Sequence, residues 1–384
     1  MSKDINEVRT MISTALDSAL SRALEQEAAE GEQALDIHRD RFVIFSDQHK
    51  GNRDAADDFR FCERAYNAAL AYYDRLGYTL IVLGDVEELW EEWPQTVLAA
   101  YQYTLQLEGS FHRDGRYLRF WGNHDDAWSH PDLVAKLLIP ALGDIPLKVR
   151  ETILLHVRDG SQELGRLFLV HGHQGTLTSD RYAHISKWVI RYIWRPLQRI
   201  FKIKVNTPAA DFKLRHAHNI AMYLWSEKQE KLVLVAGHTH RPVFKSESHE
   251  DFTLELLEEA EAKLAKDPRD SELGEQTARL LAELEWVRAQ EKPPADLPLI
   301  EFRKPSYFNT GCCAYLNGDI IGLEISDGEI RLVRWPDDEG ALRPKVLASA
   351  SLRTCLQHVE VADDQNLLTI TTSPDHTRVQ MFSR

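Results

Sequence analysis

Histidine, aspartate and asparagine recur in five short pieces strung along the chain. They read Asp47-Gln48-His49, Gly84-Asp85, Gly122-Asn123-His124-Asp125, His171-Gly172-His173 and Gly237-His238-Thr239-His240. Carboxylate oxygen, carboxamide oxygen and imidazole nitrogen suit borderline divalent cations such as Mn, Fe or Zn, and differ from the thiolate sets of structural zinc. Read together, the pieces make one metal site. Isolated histidines such as His112, His156 and His358 are read as satisfied core or surface residues instead.

Such a site needs elements that bring distant residues to one place. Apolar runs such as Phe42-Val43-Ile44-Phe45, Leu80-Ile81-Val82-Leu83 and Leu232-Val233-Leu234-Val235 precede the pieces and read as strands, so the polar residues fall at strand ends. Residues 55–76, 94–109 and 131–142 read as helices and 117–121 as a strand, an alternation that indicates a layered α/β fold. Residues 151–157 and 166–170, around Asp159-Gly160-Ser161, read as a hairpin leading into His171. Strands 319–325 and 329–335 are joined by Ser326-Asp327-Gly328, a good turn.

The ordered blocks D-x-H, G-D-x-x-[DE], G-N-H-[DE], H and G-H-x-H resemble those of the calcineurin-like metallophosphoesterases, over residues 40–335. The resemblance implies a layered α-β-β-α sandwich and two divalent ions, Mn²⁺ first, with Fe or Zn as alternatives. It implies Asp85 as the shared carboxylate, Asp47, His49 and His240 on the first metal, and Asn123, His171 and His238 on the second. His171 and His173 compete for one position; the resemblance favours His171 and leaves His173 behind the ligands or facing substrate. His124 would lie beside the leaving oxygen as transition-state stabiliser or general acid. Asp125 is expected to fix its tautomer and raise its pKa.

Gly84-Asp85-Val86-Glu87-Glu88-Leu89-Trp90 is similar to the G-D-x-x-[DE]-x-W block of UDP-2,3-diacylglucosamine pyrophosphohydrolases of lipid A synthesis. Those enzymes have arginine where this chain has His124, and they also carry an inserted basic, apolar helical lid. Here Ile185, Trp188, Val189, Tyr192, Ile193, Leu197, Ile200 and Phe201 recur at helical spacing, beside Lys187, Arg191, Arg195 and Arg199. Pro196 would kink or divide such a helix. A basic amphipathic segment at 181–205 suits anionic headgroups or a phosphorylated, acylated substrate, with Arg191 and Arg195 as candidate contacts. The alternative is a helix packed on the domain with a solvated basic edge.

The resulting domain reading has an N-terminal amphipathic helix within 1–36 and a metallophosphoesterase domain at 37–340. A lid insertion lies about 178–228, an acidic helical hairpin about 248–296, and 341–384 forms a C-terminal extension without an assigned role. The first helix is expected to pack on the sheet domain, with self-association as the alternative. The hairpin stretch 246–297 carries fifteen acids against six bases, whereas 181–204 carries seven bases and no acid. A net charge of −14 argues against a protein built to coat nucleic acid. No segment has the apolar length of a membrane span, and Met1-Ser2-Lys3-Asp4-Ile5-Asn6 lacks the apolar core of a secretory signal. A cytoplasmic protein, with peripheral membrane contact through 181–205, is the expectation. Cys62, Cys312, Cys313 and Cys355 read as reduced, buried thiols.

The expected activity is hydrolysis of a phosphodiester or pyrophosphate in a phosphorylated small-molecule or lipid-linked substrate, or one containing a nucleotide. A nuclease or cyclic-nucleotide phosphodiesterase is the alternative enzyme, and a non-catalytic scaffold the alternative of another class. A protein Ser/Thr phosphatase fits poorly, because Glu87, Glu88 and Leu89 stand where its block has Val, Asp and Arg.

Overall fold

Phe42-Val43-Ile44-Phe45 is apolar at every position because both faces of that strand are covered. Side chains alternate across a strand, so Val43 and Phe45 enter a core shared with helices while Phe42 and Ile44 enter a second core between two sheets. The same division separates Leu80 and Val82 from Ile81 and Leu83. The computed structural model describes residues 5–175, 208–266, 270–290, 299–300, 304–337, 343–357, 368–372 and 377–381. The lid stripe, with Arg191 and Arg195, lies outside the described residues.

The strands are β1 (Gln33–Asp36), β2 (Phe42–Phe45), β3 (Thr79–Leu83), β4 (Tyr117–Phe120), β5 (Val149–Arg150), β6 (Thr152–Asp159) and β7 (Gln162–Val170). They continue with β8 (Leu232–Ala236), β9 (Val243–Phe244), β10 (Glu247–Ser248), β11 (Leu299–Ile300), β12 (Tyr307–Asn309), β13 (Ile320–Ser326), β14 (Glu329–Trp335), β15 (Lys345–Ser351), β16 (Leu368–Thr372) and β17 (Thr377–Met381). One seven-stranded sheet runs β15-β14-β13-β2-β3-β4-β5 and the other β1-β6-β7-β8-β12-β9-β10, while β11-β17-β16 make a small third sheet. Strands β2, β3 and β4 are mutually parallel, as are β7, β8 and β12. Their carboxyl ends are where the five blocks begin.

Helices cover both outer faces, which makes the α-β-β-α sandwich. Phe59–Arg75 and Gln102–Arg113 pack on the first sheet through Phe59, Tyr66, Tyr73, Leu105 and Phe111. On the second, Ile5–Glu30 and Pro208–Ser226 bury Ile12, Leu16, Ile220, Met222 and Trp225 against β6, β7 and β8. Each such large apolar side chain contributes about 1.5–3 kcal/mol, so the N-terminal helix packs on the sheet domain. Gly31, at φ 90°, ends that helix, a conformation that costs glycine little. Asp327 and Gly328, both at positive φ, make the two-residue turn between β13 and β14.

The sandwich extends past the boundaries read from sequence. Residues 33–36 form β1 at the edge of one sheet, and β15, in the segment left without a role, pairs antiparallel with β14. Leu352, Cys355 and Leu356 then close the inter-sheet core. Short strands with few apolar residues carry little periodic signal, which is why pairing rather than pattern places them. The helices His249–Leu264 and Ser271–Gln290 lie where the acidic hairpin is expected. His249 joins the two helices through Glu283, and Arg334 of β14 ties them to the domain, bridging to Glu283 and stacking over Trp286. Among the described residues, no helix is long and apolar enough to cross a membrane.

Candidate metal centre

Three glycines let the blocks converge. A side chain at Gly84 would meet the His171 ring, one at Gly122 would meet the amide and carboxylate of Asp85, and one at Gly237 would meet Ser46 and Asp47. The residues beside them sit in left-handed backbone: Asp47 at φ 55°, His49 at 49°, Asp85 at 52°, His238 at 68° and His240 at 58°. Each costs on the order of 1 kcal/mol. Backbone bonds hold them there, with the amides of Asp47, His49 and Lys50 donating to the carbonyls of Gly84, Asp85 and Val86 at 3.1, 3.0 and 2.8 Å.

The ligand atoms gather, each set mutually within 4.8 Å, as Asp47, His49 and His240, as Asp85, His171 and His238, and across these two groups as His49, Asp85 and His124. Asp47 uses Oδ2 to accept from Ser46 and from the His238 amide, which leaves Oδ1 3.2 Å from His240 Nε2 and 3.9 Å from His49 Nε2. Asp85 accepts the His124 amide on Oδ1 and aims Oδ2 at both groups, 3.0 Å from His171 Nε2 and 3.9 Å from His49 Nε2. One carboxylate oxygen thus faces both halves of the site.

The tautomers fit cations. His171 Nδ1–H donates to the Leu83 carbonyl at 2.8 Å, which leaves Nε2 as the ring atom that faces Asp85. His49 holds its Nδ1–H on Glu88 at 3.0 Å, and its Nε2 lies 3.1 Å from His240 Nε2. Asp47 Oδ1, Asn123 Oδ1 and His171 Nε2 are buried without a hydrogen bond among the described residues. Lone pairs converging on buried carboxylates are a donor set for divalent metal. Burial pushes the Asp85 carboxyl up, but His171, His124 and His49 outweigh it and hold it well below the usual range. Burial and the neighbouring His218 and His171 hold His238 well below its ordinary value, as a neutral ligand requires. Asn123 follows β4 beside His124, whose amide meets Asp85, and Trp90 Nε1–H donates to the Asn123 backbone carbonyl.

His124 stands beside these groups. Its Nδ1 is gripped by Glu88, 2.9 and 2.8 Å from the two carboxylate oxygens, and its ring stacks on Trp90 at 4.4 Å and 18°. Burial drives the ring downward, yet the charges of Glu88 and Asp85 outweigh it and raise its pKa to about 9. The same balance holds Glu88 at about 2, where His124 and His49 overcome the cost of burial. The expectation that Asp125 orients His124 is corrected here. Asp125 accepts the backbone amides of Gly122, Val86 and Asp85 at 2.6, 2.9 and 3.2 Å, fastening the second block to the third. A residue next in sequence to a histidine has little freedom to turn back onto its ring, whereas Glu88 arrives from another loop. The G-D-x-x-E spacing was the available signal for Glu88.

No protein-family model and no curated protein matches the chain. Among solved structures, Vacuolar Protein Sorting 29 from Cryptosporidium parvum is similar over 81% of this chain and 98% of that chain, at 12% identity and a TM-score of 0.32. Likeness at that level carries no argument about activity, so the functional reading rests on the site.

His173 is buried near this centre without joining either ligand group; its ring lies 5.5 Å from His171 and 5.2 Å from Trp121. Burial and the neighbouring His171 push it down to about 3. Sequence reading missed the supports behind the ligands. His218 Nε2–H donates to the Gly172 carbonyl at 2.7 Å. Asn219, next along that helix, accepts from Thr239 and Tyr307 at 3.0 and 2.9 Å. Asn309 Nδ2 donates to the Gly237 carbonyl at 2.6 Å, and the Cys312 sulfur lies 3.7 Å from His240 Nδ1.

Proposed function

We propose that the protein is a dinuclear metal-dependent phosphoesterase that cleaves a phosphodiester or pyrophosphate bond, in a lipid-linked or nucleotide-containing substrate. The observation that carries this reading is Asp85 Oδ2, aimed at both ligand groups, with His124 and Glu88 adjoining them. Asp47, His49 and His240 would hold one ion, and Asn123, His171 and His238 the other, with Asp85 shared. When bound, a pair of divalent ions, Mn²⁺ first, supplies Lewis-acid polarisation of the phosphoryl oxygens and lowers the pKa of water into the neutral range.

The chain's own residues do the rest. With Nδ1–H committed to Glu88, His124 has Nε2–H to give to the leaving oxygen, a role worth about 10²–10⁴ in rate. The Trp90 indole limits rotation of that ring and favours its charged form through its π face. Glu88, bonded also to His49, sets the distance between the proton donor and the first ion. Arg191 and Arg195 of the 181–205 segment would bind substrate phosphate, and its apolar stripe would take acyl chains.

The test is Mn²⁺-dependent hydrolysis of a chromogenic phosphodiester and the matching monoester, by native protein and His124→Ala, after chelation and metal return. Metal-dependent diester cleavage, lost in the variant, supports the reading. Metal-loaded native protein that cleaves chromogenic esters, lipid pyrophosphates and nucleotide diesters no faster than buffer overturns it in favour of a binding scaffold.

A further inference from the structure

Behind the centre lies a set of charges that the proposed chemistry does not use. Lys50, Glu87, Glu108 and Arg119 are all fully buried. Lys50 Nζ donates to Glu108 Oε1 at 2.5 Å, and Arg119 Nη1 donates to Glu108 Oε2 at 3.1 Å. Arg119 Nη2 donates to Glu87, which also accepts the Trp128 indole N–H at 2.8 Å. The hydroxyls of Tyr117 and Tyr66 add to Glu108 at 2.8 and 3.3 Å. Two cations and two anions balance within one apolar surround, and the Lys50 ammonium packs over the Phe59 and Tyr66 rings.

Three of the four charges are joined by the backbone to a ligand block, and Glu108, on the helix Gln102–Arg113, ties Lys50 to Arg119. Lys50 follows His49, Glu87 precedes Glu88, Arg119 lies on β4 leading to Asn123, and Trp128 follows the third block. Lys50 and Glu87 are also paired as a parallel bridge, with the Glu88 amide donating to the Lys50 carbonyl at 2.9 Å. Stability alone does not account for such a network. Well-packed apolar residues of similar volume often match or exceed a buried ion pair in stability, because desolvating the charges costs several kcal/mol. What the pairs add is direction: a bond of about 3 Å between fixed groups defines a register that interchangeable apolar contacts leave loose.

We propose that Lys50, Glu87, Glu108 and Arg119 form an ionic clamp that sets the spacing of the first three ligand blocks, as positioning residues for metal binding and turnover. This inference rests on the two-metal reading above.

The experiment uses the full chain, with Mn²⁺ binding by calorimetry, thermal melting, and kcat and KM on the chromogenic diester. Glu108→Gln leaves two buried cations short of an anion and is expected to lower both Tm and Mn²⁺ affinity. The paired change Lys50→Met with Glu108→Leu keeps the Arg119–Glu87 pair neutral and fills the volume. It is expected to recover Tm while binding Mn²⁺ about 10–100-fold more weakly, the range for lost supports behind metal ligands, with kcat reduced and KM unchanged. Tyr117→Phe, which removes one hydroxyl from Glu108, is the milder variant should the pair not fold; it is expected to weaken Mn²⁺ binding several-fold at near-native Tm. Native affinity and kcat in a folded paired variant, or in Tyr117→Phe if the pair does not fold, overturn the clamp alone. Native protein that binds no Mn²⁺ overturns the two-metal reading and the clamp with it.

Discussion

Glu88 touches two rings that the proposed reaction needs, so Glu88→Gln probes the site with little change in volume. In the native protein its oxygens lie 2.9 and 2.8 Å from His124 Nδ1, and one lies 3.0 Å from His49 Nδ1. The His124 pKa rises from 6.5 to about 9, which at 1.36 kcal/mol per unit is about 3 kcal/mol in favour of the charged ring. Asp85 supplies part of that rise, the His124 side chain is 27% exposed, and bound cations would oppose it. About 1–2 kcal/mol therefore reaches the reaction, or roughly 10-fold in rate. Lost ring orientation adds to this, so the expected fall in kcat is about 10–100-fold. The assay is the pH profile of kcat at saturating Mn²⁺, so that weaker metal binding does not masquerade as lost acid catalysis. The proton donor must be charged, so activity declines as pH rises through its pKa. The alkaline limb should move to lower pH in the variant. An unmoved limb with kcat within about 3-fold of native would refute the assignment of Glu88 and His124 as an acid pair.

Three further outcomes are expected. Gly122→Ala forces a methyl group against the amide and carboxylate of Asp85, so it should abolish Mn²⁺ binding by calorimetry and lower Tm, where an exposed Gly→Ala elsewhere changes Tm little. Mn²⁺ at about 100 times its Kd should stabilise the native chain by about 2.7 kcal/mol; a thermal melt with and without chelator checks this, and Asp85→Asn should erase the difference. His156 ties the N-terminal helix to β6 through Glu27 at 2.8 Å and meets Glu163 at 3.0 Å. Burial lowers its pKa, but the two carboxylates outweigh it and raise the value above the ordinary 6.5. A raised imidazole stabilises fully below about pH 6.5 and loses that contribution as pH climbs through the folded value. His156→Gln should thus cost about 1 kcal/mol at pH 6 and progressively less as pH rises through the folded value; an equal loss of Tm across that range would show that packing, not charge, holds the helix.

The residue pattern determined the donor chemistry and the strand ends. Runs such as Leu80–Leu83 and Leu232–Val235 are apolar throughout because both faces are covered, and polar residues beyond such runs have only the sheet edge to occupy. That much is local: period, run length and the residue following the run. The tertiary structure decided which atoms meet. Asp125 was legible as a neighbour of His124, but its carboxylate turns to backbone amides, while Glu88 crosses from another loop to the ring. His218, Asn219 and the buried Lys50–Glu108–Arg119–Glu87 set carried no motif, since one helix face or one strand shows only that a polar residue points inward, never what answers it. The edge strands β1 and β15 were missed for the same reason. A short strand forms because a partner strand offers unpaired amides and carbonyls, and pairing at such sequence distance leaves no mark on the residues themselves.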